Sequence, residues 1–162
     1  MSKKKTAFLK LISGNKPPII AAADGMETLV KIIDFPTSIN GDFVVKYGAD
    51  EQGQATKKTP VDVYEMSPAS TFENTLGLLS KDIGKICLTQ AQIKNFLKEE
   101  KHRKWLRNNC GTFFPFRSRN NFFVARVSFV ANYCIDIDIR QLIGARVWRT
   151  EDTPWFVVPR LI

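Results

Sequence analysis

Apolar residues recur at every second position through much of the last third of the chain, as is typical of β-strands. In the longest of these runs Phe123, Ala125, Val127 and Phe129 form a wholly apolar face, and the opposite face is mixed. Short polar connections between the runs favour hairpins, and therefore an antiparallel sheet. The alternation predicts strands over 112–116, 122–130, 134–139, 145–149 and 155–158. Pro115, which has no N–H to donate, predicts that the first of them is an edge strand or contains a bulge.

Helical spacing replaces this alternation in the middle of the chain. Ser70 and Glu73 have the spacing of a capping box, and apolar residues follow at helical intervals. A second box at Thr89 and Gln92 predicts another helix with its own apolar side. Together the two core-facing helices are expected within residues 70–108.

The first 66 residues carry weaker signals. Residues 1–27 mix lysines, prolines and glycines with one short apolar piece, and this composition predicts an N-terminal arm. A β meander is expected over residues 28–66. Its strands are predicted at 28–34, 42–47 and 61–66, with 48–60 as an exposed loop.

These elements predict a single α+β domain over residues 28–162, in which an antiparallel sheet carries both helices on one face. A length of 162 residues with 44% hydrophobic and 25% charged residues fits one globular domain. The apolar stretch near the first residue is too short for a signal peptide. No run approaches the roughly 20 apolar residues of a membrane span. We therefore expect a cytoplasmic protein without membrane contact.

Positive charge is concentrated in one part of the sequence. Residues 101–149 hold ten Lys and Arg against two Asp, and the difference of ten minus two equals the net charge of +8 of the whole chain. Eleven of the eighteen aromatic residues fall within 105–156. Arginine pairs with phosphate and carboxylate in a planar, bidentate geometry. This composition indicates a site for an anionic partner.

A sheet that offers arginines and exposed aromatic rings is typical of proteins that bind single-stranded nucleic acid. The cations neutralise phosphates, and each ring stacks on a base with about 1–3 kcal/mol. The leading hypothesis is a non-enzymatic nucleic-acid-binding protein. Its candidate contact residues are Lys101, Arg107, Arg117, Arg119, Arg126, Arg146, Phe122 and Trp148.

Two other interpretations fit the same composition. The arginines would also suit an acidic protein surface, because carboxylates accept hydrogen bonds much as phosphates do. The chain would then be a protein-interaction module, such as a small inhibitor or an accessory subunit of a larger assembly. Alternatively, the rings fill the core and the arginines only solubilise the surface.

Catalytic chemistry has less support in the sequence. Three widely spaced cysteines and the single histidine, His102, form neither a zinc motif nor a disulfide framework. Serine-nucleophile motifs and glycine-rich phosphate loops are also absent from the sequence. We expect no cofactor, and enzymatic activity stays an open question at this stage.

Asp136 and Asp138 carry the one hint of catalysis. On a strand they share a face about 7 Å apart, where two carboxylates would hold a divalent metal. The run 134–139 resembles the apolar-Asp-apolar-Asp strand of archaeo-eukaryotic primases and related polymerases, and this resemblance implies metal-dependent phosphoryl transfer. Primases also have a histidine downstream, whereas no histidine follows Asp138 here. The alternative is a pair of solvated aspartates that face an arginine on the neighbouring strand.

Overall fold

The computed structural model describes residues 9–29, 37–39, 51–66, 71–107, 111–130, 134–142 and 154–161. Within them the strands are β1 (Leu9–Leu11), β2 (Ile19–Ile20), β3 (Thr37–Ile39), β4 (Thr59–Met66), β5 (Thr112–Ser118), β6 (Asn121–Val130), β7 (Cys134–Gln141) and β8 (Trp155–Pro159). The helical segments between β4 and β5 are the α-helix α1 (Phe72–Leu76), the 3-10 helix η1 (Ile83–Ile86), the α-helix α2 (Gln90–Lys98) and the 3-10 helix η2 (Glu100–Trp105).

The described strands form one mixed sheet in the order β1-β4-β8-β5-β6-β7-β3, and β2 pairs with the start of β4. Most neighbours are antiparallel, which confirms a mixed α and β fold with a mainly antiparallel sheet. The pairs β3–β7 and β5–β8 are parallel, however. β4, from the predicted meander, pairs with β8, from the predicted C-terminal strands, along five residues, so both belong to one sheet.

Helical segments cover both faces of this sheet. On one face, the α2 face, Phe96 of α2 packs with Phe114 and Phe123 of the sheet. On the opposite face, the α1 face, Phe72 of α1 lies 5.6 Å from Phe113 between ring centroids. The prediction that both helices pack on one face is therefore corrected. Because β5 and β6 bury apolar side chains on both sides, each face needs its own helical cover.

The first helix is shorter than its apolar spacing predicted. Its N-cap is Thr71, whose hydroxyl accepts a bond of 3.2 Å from a backbone N–H of the first turn. Ser70, the predicted cap, lies outside the described residues. The second capping box is confirmed, since the Thr89 hydroxyl accepts from the Gln92 N–H (3.1 Å) and the Gln92 side chain accepts from the Thr89 N–H (2.9 Å).

β5 is an internal strand of the sheet, so the edge-strand alternative that Pro115 suggested is wrong. β5 pairs with β6 along one side and, on the other, with β8 only at Thr112 and Phe113. Beyond Phe113, Leu88 replaces β8 as the pairing partner of β5. Its N–H donates to the Pro115 carbonyl (2.9 Å), and its carbonyl accepts from the Arg117 N–H (3.1 Å). The missing N–H of Pro115 therefore falls at the junction between two pairing partners.

The segment predicted as an N-terminal arm adds to the sheet instead. β1 and β2 pair with successive parts of β4. Glu27 accepts hydrogen bonds from Lys98 and forms an ion pair with Lys94 (3.3 Å), so it ties this segment to α2. Burial alone would raise the pKa of Glu27, but the bonds from the two lysines outweigh it, and the pKa is lowered.

Some predictions fall on residues outside the described ranges. They include residues 1–8, most of the strands predicted at 28–34 and 42–47, and the strand predicted at 145–149. The strand predicted at 61–66 is confirmed as part of β4. Among the described residues, no helix has the length and apolar composition needed to cross a bilayer.

Candidate functional site

The predicted contact residues lie at separate places on the molecule. Arg107 is held at the start of β5, where its N–H donates to the Thr112 hydroxyl (3.1 Å) and its guanidinium lies 4.8 Å from the Trp155 ring centroid. Arg117 lies near the other end of β5, about 17 Å further along the strand. Arg119 follows it in the turn before β6.

The arginines at this hairpin already have intramolecular contacts. Arg119 forms an ion pair with Glu51. The Nε of Arg117 donates to the Arg119 carbonyl (3.1 Å), and its guanidinium lies 5.8 Å from the Phe122 ring centroid. Phe122 is therefore half-buried against an arginine. Of the predicted set, Arg146 and Trp148 lie outside the described residues.

The α1 face carries opposite charges side by side on β6 and β7. Arg126 lies directly opposite Asp138 in the strand register, and Nη2 of Arg140 lies 3.4 Å from Oδ2 of Asp138. Arginines this close compensate the charge of Asp138, one of the two carboxylates that a divalent ion would need. Within the described ranges, no group of three or more His, Cys, Asp or Glu is placed to hold a metal ion. The position of Asp136 and Asp138 therefore gives metal catalysis no support.

The thiol of Cys87 lies near Arg117, at the hairpin between β5 and β6. Burial raises its pKa to about 12, although nearby Arg117 favours the thiolate. The thiol therefore stays protonated at neutral pH, whereas a nucleophilic cysteine needs a lowered pKa.

A cavity of about 230 Å³ lies between η2 and the segment that leads into β2. Three lysines line it, Lys16, Lys101 and Lys104, which we call the cavity lysines. Its wall also includes His102 and Trp105 of η2, with Pro17 and Ile19 on the opposite side. We call this site the basic cavity.

The 3-10 geometry of η2 explains why four of its residues share the basic cavity. Residues three apart lie above one another in a 3-10 helix, since it has three residues per turn. Lys101 and Lys104 therefore form one ridge, and His102 and Trp105 form the adjacent ridge. A continuous α-helix, as the sequence predicted, would instead have aligned Glu100 with Lys104 as an acid–base pair.

His102 holds η2 against α2 and is only 2% exposed. Its ring stacks on Phe96 with centroids 4.5 Å apart, and its Nδ1 lies 3.1 Å from the Phe96 carbonyl oxygen. Because a carbonyl oxygen only accepts, Nδ1 carries the proton of this bond. Burial lowers the pKa of His102, although the bond to Phe96 opposes the change. The imidazole is therefore neutral near neutral pH, and the cavity lysines supply the positive charge.

The cavity lysines differ in charge compensation from several arginines elsewhere on the molecule. Arg160, for example, lies 3.0 Å from Asp62 in an ion pair. Across the ranges that the structure describes, no carboxylate comes within ion-pair distance of the cavity lysines. The ammonium of Lys104 lies 5.2 Å from the Trp105 ring centroid, which is a cation–π contact. Three positive charges therefore face one cavity, and the described part of the chain gives them no carboxylate partner.

The sequence suggested Lys101 as a candidate contact residue but not Lys16 or Trp105, which line the same cavity. Lys16 belongs to the segment that was predicted to be a separate arm. The only local signal was the three-residue spacing of Lys101 and Lys104. That spacing becomes informative only once the segment is known to be a 3-10 helix.

Comparisons with known proteins give no family for this chain. No protein-family model matches it, and no curated protein or solved structure matches it either. Evidence for function therefore comes from the geometry and charge of the basic cavity.

Proposed function

We propose that this protein binds nucleic acid through the phosphate backbone, with the basic cavity at the centre of the contact surface, and that it catalyses no reaction there. The observation that carries the proposal is the set of three cavity lysines without carboxylate partners in the described residues. Phosphates of a polyanion supply the missing negative charge. A net charge of +8 adds a long-range attraction for such a partner.

Arg107 extends this surface beyond the cavity lysines. It follows η2 by two residues, and its guanidinium lies against Trp155. Trp155 in turn contacts Trp105, with ring centroids 6.1 Å apart. Arg107 is therefore held beside the cavity wall, where a guanidinium binds phosphate in a bidentate way. Lys101 and Arg107 are the members of the predicted contact set that this proposal uses directly.

The other predicted cations take a secondary place in the proposal. Arg117 and Arg126 lie on the α1 face, and Arg119 is paired with Glu51. A ligand centred on the basic cavity reaches them only by passing around the sheet. We therefore assign them outer contacts with the backbone of a long strand.

An acidic protein surface is the competing partner, and the kind of cation argues against it. Lysine is depleted in protein–protein interfaces, where arginine and aromatic residues dominate. In contrast, lysine is a common phosphate ligand that acts as a point charge. The basic cavity presents three lysines and no arginine. This composition favours phosphate.

The test compares the double variant Lys101→Ala, Lys104→Ala with the control Lys57→Ala, Lys58→Ala. All four lysines are exposed, and the two control lysines lie outside the basic cavity. Binding to a generic single-stranded oligonucleotide is measured by fluorescence anisotropy from about 50 to about 200 mM salt. We expect the cavity variant to reduce the slope of log K against log salt by about 1.4, at about 0.7 per lost phosphate contact.

The control variant is expected to keep the wild-type slope, because its lysines make no phosphate contact at the cavity. An equal loss in both variants would mean that binding follows overall charge, and would contradict the proposal. Absence of wild-type binding at about 50 mM salt would also reject it and would favour the acidic protein partner.

A further inference from the structure

The basic cavity has the volume of a site for a small ligand. Its volume of about 230 Å³ exceeds the roughly 150 Å³ of an apolar cavity that binds benzene. It is smaller than the roughly 300–1,000 Å³ of pockets for drug-sized ligands. One flat base is of a size that fits between these limits.

The wall of the cavity offers a surface for such a base. Trp105 is half-buried, and the Lys104 ammonium lies over its ring. An exposed cation–π contact is worth about 0.5–1 kcal/mol, whereas a base stacked on an aromatic ring is worth about 1–3 kcal/mol. A stacked base would therefore replace the ammonium on the ring and free Lys104 to bind phosphate.

The opposite wall combines Lys16 with the apolar residues Pro17, Pro18 and Ile19. Ile19 is 51% exposed, although it is a large aliphatic residue next to Pro17 and close to the cavity lysines. An apolar side chain in this position covers the second face of an inserted ring. The cavity thus combines cations for a phosphate with two nonpolar sides for one planar group.

From these features we infer that the basic cavity holds one unpaired nucleotide, with its base between Trp105 and Ile19 and its phosphate on the cavity lysines. This inference rests on the proposed function and names its substrate class as single-stranded nucleic acid. A base inside a duplex is stacked on both sides and paired, so it enters a one-base cavity only after costly extrusion. An unpaired base enters at little cost.

The experiment compares a single strand of about 20 nucleotides with the duplex of the same sequence at one salt concentration. We expect the wild type to bind the single strand at least about tenfold more tightly, in line with the stacking of one base. Ile19→Glu removes this preference, because it places a carboxylate in the exposed wall without disturbing the core. Leu78→Glu is the matched control, since Leu78 is 58% exposed and lies outside the cavity.

Trp105→Ala gives an independent readout. It lowers single-strand affinity about tenfold and leaves duplex affinity unchanged, because only the single strand stacks on the ring. The Ile19→Glu variant keeps this test decisive if the loss of Trp105 disturbs its contact with Trp155.

The outcomes separate this inference from the proposed function. Equal wild-type affinity for single strand and duplex overturns the inference, while salt-dependent binding leaves the proposed function standing. A single-strand preference that survives in both cavity variants also overturns it, because the preference then arises elsewhere. Failure to bind either oligonucleotide rejects the proposed function itself.

Discussion

Gly14 and Gly25 both have a positive φ, but only Gly25 is also closely packed. Gly14 has a φ of 62°, and an added Cβ would meet nothing within 4 Å. Gly25 has a φ of 82°, but there the added Cβ would lie 2.5 Å from the carbonyl carbon and oxygen of Gln54. Both positions favour glycine for its conformation, and only Gly25 also requires the missing side chain.

We expect Gly25→Ala to lower the free energy of unfolding more than Gly14→Ala. The Gly14 variant pays only for a left-handed backbone, about 1–2 kcal/mol. The Gly25 variant must also displace the peptide of Gln54, which brings its loss to about 3 kcal/mol or more. Urea denaturation of the two variants measures this difference. Equal losses would show that the close approach of Gly25 to Gln54 is not a constraint.

The contacts of individual residues were predictable where the two partners are close in sequence. The bonds between Thr89 and Gln92 followed from the spacing alone, because a capping box closes within three residues. The contact of Gly25 with Gln54 did not, since 29 positions separate the two residues and only the folded chain brings them together.

At the scale of elements, η2 depends on one buried side chain. His102 stacks on Phe96 of α2 and donates to its carbonyl, so it fixes the angle between α2 and η2. Burial lowers the pKa of His102 below its usual 6.5, and the nearby positive charges of Lys101 and Lys104 act in the same direction. The bond to Phe96 and the charge of Glu99 act against it.

This lowered pKa predicts how stability depends on pH. Between the unfolded pKa of 6.5 and the lower folded value, the unfolded chain binds more protons than the folded one. The contribution is therefore complete above about pH 6.5 and is lost as the pH falls toward the folded pKa. We expect the free energy of unfolding, measured in urea, to fall from about pH 7 to about pH 5. His102→Phe should flatten this slope, and an unchanged slope would contradict the assignment.

The sequence predicted where most described strands and helical segments lie, but not the detailed geometry of the helical segments. Most described strands were found from their alternation, because burial on one side of a strand imposes a period of two. The change from α2 to η2 was not found, since the same residues are compatible with either helix. The contact of His102 with Phe96 helps to hold the 3-10 form, and no local pattern reveals that contact.

For the whole molecule, Arg160 connects three distant parts of the chain. Its Nε donates to Asp62 of β4 (3.1 Å), and its Nη2 donates to the Gly14 carbonyl (3.3 Å) in the turn before Lys16. The Asp62 side chain is only 9% exposed. Arg160 therefore secures both the sheet and the segment that carries one cavity lysine.

We expect Arg160→Ala to lower the free energy of unfolding by about 2–3 kcal/mol, because it leaves the Asp62 carboxylate buried without its charge partner. The value is below that of a fully buried pair, since solvent reaches the Arg160 side chain. Adding Asp62→Asn should recover part of the loss. Thermal or urea unfolding of the wild type, the two single variants and the double variant gives the coupling energy between Arg160 and Asp62.

Arg140→Ala serves as the comparison for this pair. Its partner Asp138 and Arg140 itself are both more exposed, at 25% and 52% of their side chains. The expected loss is below about 1 kcal/mol. A loss at Arg160 no larger than the loss at Arg140 would show that burial of Asp62 has little energetic weight.

The order of strands is the feature that the sequence concealed most completely. Hairpins β5–β6 and β6–β7 followed from short connections, but β8 lies between β4 and β5, which are far apart in sequence. Pairing over such distances depends on the complete core. For the same reason Lys101 was found as a candidate and its neighbour Lys16 was not.

The position of β8 in the sheet also affects how the chain folds while it is being synthesised. β8 lies between β4 and β5 in the sheet but is translated after both of them. Neither strand can pair with β8 until residues 155–159 have left the ribosome. Until then the nascent polypeptide displays two open strand edges, which are the places where chains aggregate. A premature stop codon before Trp155 would therefore yield insoluble product rather than a shortened version of the native fold.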